Sequence, residues 1–154
     1  MRYGVAYLGA GLTVAALDAV WLSLTNAALY RPVLNSVLTD GFRPVPAVLF
    51  YLVYLAGMLI FAVRPAIRDR RWTTATVMGA LFGFFAYATY DLTNQATLAV
   101  WATRITLLDL AWGSLLTAAG ATAGYLASTL IRSRKPAVRW SGAPGRPPRQ
   151  RRRG

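Results

Sequence analysis

The chain has 154 residues, 56% of them hydrophobic and 14% charged, with 17 Lys plus Arg, five acids that are all Asp, and neither His nor Cys. The missing Cys excludes disulfides, thiolate nucleophiles, iron-sulfur clusters and Cys zinc sites, and the missing His excludes an imidazole base, a haem ligand and the usual transition-metal sites. Its acid chemistry is confined to Asp18, Asp40, Asp69, Asp91 and Asp109.

A bilayer core about 30 Å thick is crossed by about 20 helical residues. Four apolar stretches reach that length, at about 3–24, 45–63, 72–90 and 105–131. The expected fold class is therefore all-α, an integral membrane four-helix bundle over 1–131, followed by a disordered polybasic tail over 132–154. Asp18 interrupts the first stretch too late and too abruptly for the core of a cleaved signal peptide, so helix one is expected to stay with the chain. It lies 16 residues beyond Arg2, or ~24 Å up the helix.

The segment 25–44 spaces Leu29, Val33, Leu34, Val37 and Leu38 three and four apart, as a short helix lying at the interface would. Alternatively it extends helix one, with Pro32 as a kink or start signal. Asp40 and Gly41 look like its end. Helix two carries Tyr51 and Tyr54 near its start, and Arg64, Arg68, Arg70 and Arg71 follow it.

Helix three holds the densest polar text. Gly79, Gly83, Tyr87, Asp91 and Asn94 recur at four, four, four and three, forming a stripe that is small below and polar above. Asp91 is read as the end of this helix. Helix four reverses the scheme with Asp109, Gly113, Thr117, Gly120 and Gly124 on one face. Gly79, Gly83, Gly113, Gly120 and Gly124 are the expected helix-packing residues, because small side chains let helices approach closely. The tail adds nine of the basic residues, four Pro and three Gly with no acid.

Basic residues flank alternate sides 14 against 3 if each stretch crosses once, so both termini are expected to face the cytoplasm. The tail Arg132–Arg153 is expected to contact anionic headgroups, worth about 1 kcal/mol per basic residue near the surface. Nucleic acid is the weaker reading for it, since only Trp140 accompanies the arginines as a stacking ring.

Intramembrane carboxylates cost a few kcal/mol at least and are candidates for function. By helical rise, Asp18, Asp91 and Asp109 all fall near the outer face. The first and last share a local repeat, L-D-x-x-W-x-S-L, at Leu17–Leu24 and Leu108–Leu115. It sets Asp18 beside Trp21 and Asp109 beside Trp112 on one helical face, where each indole either donates to a carboxylate or anchors its helix at the headgroups. The expected outer polar pocket comprises Asp18, Trp21, Tyr51, Tyr54, Tyr87, Tyr90, Asp91, Asn94, Arg104, Asp109 and Trp112. No catalytic residue, metal or cofactor is assigned. In the competing account, Asp91 ends helix three, Asp109 favours the N-terminal end of helix four, and Arg104 neutralises one of them.

The run YATYDLTN at Tyr87–Asn94, with Ala96, Thr97, Leu98, Trp101, Asp109, Trp112 and Gly113, resembles a family of small bacterial membrane proteins of unknown function. Asp18, Trp21, Leu22, Tyr30 to Pro32 and Phe50-Tyr51 fit the same pattern, so the resemblance covers about 3–131. It implies a four-helix inner-membrane protein and brings no activity. Three functions follow from the residues: a pocket that binds or transports a cation or small polar or amine ligand, a structural subunit or homo-oligomer joined through the glycine seams, and a membrane-embedded enzyme on a lipid or isoprenoid. The last is weakened by the absence of closely spaced Asp residues.

Overall fold

The computed structural model describes residues 1–39 and 41–132. The expected tail and Asp40 lie outside these, apart from the backbone of Arg132. The described residues form four long helices and no strand: α1 (Arg2–Leu34), α2 (Pro44–Asp69), α3 (Trp72–Thr97) and α4 (Thr103–Arg132). α3 and α4 make the most extensive contact, and α4 packs next on α1, so α4 is the central helix.

The interior combines apolar side chains such as Val14, Met58, Val63 and Leu116 with small and polar residues, including Ala6, Ala10, Ala62, Ala75, Ala121, Thr117, Ser128 and Asp91. Large apolar side chains point outward on every helix, among them Leu12, Val53, Phe85 and Leu115. A surface this apolar suits lipid rather than water. α1, α2 and α4 are long and apolar enough to cross a bilayer by length and composition. α3 is long enough but more polar; it turns Leu81, Phe84, Phe85 and Leu92 outward and buries Gly79, Gly83 and Asp91 against its neighbours.

Two helices contain a wide π turn, and proline chemistry accounts for both. In α1 the turn covers Asn26–Tyr30 and is followed by Arg31-Pro32; in α2 it covers Leu59–Val63 and is followed by Arg64-Pro65. A proline lacks the N–H that would bond four residues back, and its ring crowds that carbonyl. The carbonyls concerned belong to Ala28 and Phe61 and lie inside the two π turns, where the wider spiral relieves the crowding.

Several boundaries differ from the expected ones. The stretch after residue 25 is no separate interfacial helix; its first half continues α1 to Leu34. Its apolar spacing serves protein contact, because Leu29 and Leu34 pack on Ile105, beside Val100 and Trp101. α3 runs past Tyr90 to Thr97, since no Gly or Pro interrupts 84–97, and Asp91 lies within the helix.

Candidate functional site

Asp91 is fully buried, and neither of its carboxyl oxygens receives a hydrogen bond from any described donor. It projects from the stripe of α3 that faces α4 and meets the carboxyl group of Asp109, itself buried. Two ionised acceptors at such an approach repel, so a proton or a cation is needed between them. Asp109 has one further partner: the Tyr30 hydroxyl donates to its Oδ1.

The two copies of the L-D-x-x-W repeat meet across α1 and α4. Trp21 and Trp112 stack with ring centroids 4.5 Å apart and planes 7° from parallel. Each indole serves the acid of the opposite helix. Trp112 Nε1 donates to Asp18 Oδ1 over 3.4 Å, a long contact, and Trp21 Nε1 donates over 3.0 Å to the Tyr30 hydroxyl that serves Asp109. Tyr51 donates to Asp18 Oδ2 at 2.5 Å. Asp18 therefore sits at one end of a relay through the tryptophan stack, with the Asp91–Asp109 pair at the other.

The glycines make this approach of helices feasible. A Cβ on Gly79 would lie 2.7 Å from the Thr117 carbonyl oxygen. One on Gly83 would collide with the Gly113 carbonyl and the Thr117 hydroxyl, and one on Gly113 with the Tyr87 ring. Gly120 lies against Val14 and Met58, and Gly124 against Ala6 and Ala10. All five face other helices of the same chain. Thr117 donates to the Gly113 carbonyl, so the buried Tyr54 hydroxyl donates to Thr117, at 2.5 Å.

Residues 3–126 match the family described as Predicted membrane protein (DUF2177). The chain belongs to that family. It is the kind of family that the YDLTN run resembles, small membrane proteins with no assigned activity. No curated protein and no solved structure matches the chain.

Within this family member, the expected pocket residues fall into groups. Asp18, Trp21, Tyr51, Asp109 and Trp112 join the relay, and Asp91 joins it through Asp109. Tyr54, Tyr87 and Tyr90 line a neighbouring cavity of about 350 Å³ with Phe50 and Ala86. Asn94 is half-buried one turn beyond Asp91 and bonds to none of the three acids through its side chain among the described residues. Arg104 is a correction: it is exposed and forms no ion pair, the one ion pair among the described residues being the exposed Arg68–Asp69 contact at 3.8 Å. On a helix, five residues carry Arg104 about 140° round from Asp109, which leaves its charge pointing away.

Tyr30 is the relay residue that sequence reasoning missed. In an unbroken α-helix, positions 21 and 30 lie about 180° apart. The π turn adds a residue to one turn and returns Tyr30 by about 100° toward Trp21. Arg-Pro at 31–32 is the signal that could have located it. A second polar cluster was also missed: Trp101 Nε1 donates to Thr106, which donates to Gln95 Oε1, and Gln95 Nε2 donates to Thr103, fastening the α3–α4 connection above the site.

Proposed function

We propose that this protein binds a small cation between Asp91 and Asp109, as the polar centre of a binding or transport site in a bacterial inner membrane. One observation carries the reading: a fully enclosed carboxyl group with no donor among the described residues faces a second carboxyl group. Inside a bilayer such a pair is stable when positive charge lies between its members. The enclosure favours a proton, an alkali cation or a small ammonium group. The cavity formed by Phe50, Tyr54, Tyr87 and Tyr90 adjoins the helix turn that carries Asp91, and its ring faces suit an approaching cation.

The alternatives draw less support. The glycine seams that would hold a partner subunit are occupied within the chain. No three carboxylates converge as a metal-ligand set among the described residues, and divalent-metal chemistry on a lipid phosphate calls for such a set.

The test is titration of the purified full-length protein with sodium, potassium and methylammonium salts and with acid, at constant ionic strength. Heat release and the carboxyl infrared bands are the readouts. Wild type is expected to respond to at least one cation or to a proton. Asp91→Asn and Asp109→Asn should each abolish that response, and Asp69→Asn, at the other end of the bundle, should preserve it. A response that survives both inner substitutions, or a wild type that shows none, rejects the reading.

A further inference from the structure

The opposite end of the bundle holds a cavity of a different character. It measures about 670 Å³ and is lined by Arg2, Arg64, Arg68 and Arg70, with Tyr3 and Ile60 among its apolar walls. The start of α1 and the end of α2 bring these residues together. Asp69 is the acid beside them, and it is engaged by Arg68 at 3.8 Å and by the Thr74 hydroxyl at 3.4 Å. Four arginines line this one space, Arg68 being the one paired with Asp69, and their positive charges favour an anion there.

Two features indicate that the arrangement is held for a ligand. The Nε of the half-buried Arg2 is enclosed and has no hydrogen-bond acceptor among the described residues, and a buried donor left unpaired is costly. Arg70 has a φ of 57°, the one non-glycine residue at positive φ among those described. It occupies the left-handed position of a Schellman cap, in which the Arg71 N–H bonds the Ala66 carbonyl at 3.2 Å. Glycine is the usual residue there because it has no Cβ to crowd the backbone. An arginine at this position accepts strain and adds a fourth cation to the cavity.

We propose that this cavity binds the phosphate of an anionic phospholipid. Guanidinium groups match phosphate oxygens in shape and charge. A second cavity of about 270 Å³ shares Tyr3, Ile60 and Arg64 and is otherwise walled by Leu59. It offers an acyl chain a place beside Arg64, against the side chains of Tyr3, Leu59 and Ile60. Free phosphate would use the first cavity and leave the second unfilled. A zwitterionic lipid would bring an ammonium group among the arginines, so the site selects a headgroup with net negative charge.

The experiment is native mass spectrometry of the full chain in detergent, with its tail intact, supplied with equal phosphatidylglycerol and phosphatidylethanolamine. Wild type is expected to retain the anionic lipid preferentially. Removing one arginine should lower the affinity for it about fivefold, the equivalent of one basic side chain near an anionic surface. Arg70→Gly is the decisive variant, because glycine relieves the left-handed strain and keeps the fold while deleting the cation. Arg64→Gln with Arg70→Gly should lower affinity about thirtyfold on the same basis. Arg104→Gln, at the opposite end of the bundle, should leave the preference unchanged. A preference for the anionic lipid that survives Arg70→Gly and the double variant undiminished would overturn the proposal. So would displacement of the lipid by inorganic phosphate or glycerol phosphate at equal concentration, which would identify a soluble phosphate as the ligand.

Discussion

Replacing Asp91 by Asn exchanges one of two facing acceptors for an amide carrying two N–H donors. The new group can donate to Asp109, so Asp91→Asn is expected to stabilise the protein by about 1 kcal/mol while removing the proposed cation site. Thermal unfolding in detergent checks the first effect, and the cation titration checks the second. Tyr30→Phe acts in the other direction. It takes the donor from buried Asp109 and the acceptor from Trp21 Nε1, and should cost about 1–3 kcal/mol. Tyr51→Phe should cost less in the same melts, because Asp18 is half-buried and keeps its contact with Trp112. Equal losses in the two Tyr variants would contradict this difference in burial. The acids were legible as residues, since a carboxylate inside an apolar run is conspicuous on composition alone. Their individual partners were not, because hydrogen bonds between side chains 33, 79 and 94 positions apart leave no local trace.

At the scale of elements, the seam between α3 and α4 sets how closely Asp91 approaches Asp109. Gly83→Ala introduces a methyl group where the Gly113 backbone and the Thr117 hydroxyl already lie. The expected result is a loss of about 1–3 kcal/mol from overpacking, with the carboxyl pair forced apart and its cation response weakened. Gly4→Ala is the matched control. It also lies in a helix, and nothing lies within 4 Å of its added methyl, so it should be neutral or gain up to about 1 kcal/mol from helix propensity. The stripe from Gly79 to Asp91 was readable because i, i+4 spacing alone puts those residues on one face. The turn at Asn26–Tyr30 was not readable from periodicity, since one extra residue shifts the phase of every position after it.

The whole molecule presents two differently charged ends, with the buried acids near one and Arg2, Arg64, Arg68, Arg70 and Arg71 at the other. We read the arginine end as cytoplasmic from the distribution of basic residues. The absence of Cys makes a direct check straightforward. Gly4→Cys and Gly41→Cys each add a side chain where nothing lies within 4 Å. A membrane-impermeant maleimide applied to intact cells should label the cysteine at 41, and the one at 4 only after permeabilisation. The reverse pattern would invert the orientation.

Composition and spacing alone determined a helical membrane protein and the helix faces on which its glycines lie. These properties follow from the thickness of a bilayer and the fixed pitch of a helix, which act on each segment separately. Tertiary structure alone decided that Asp91 faces Asp109 and receives no hydrogen bond from any described donor, that the two tryptophans stack and serve each other's acids, and that Arg104 stands aside. Those outcomes depend on how helices rotate about their axes against one another, and that rotation is set by which backbones can touch at glycine and by where proline widens a turn.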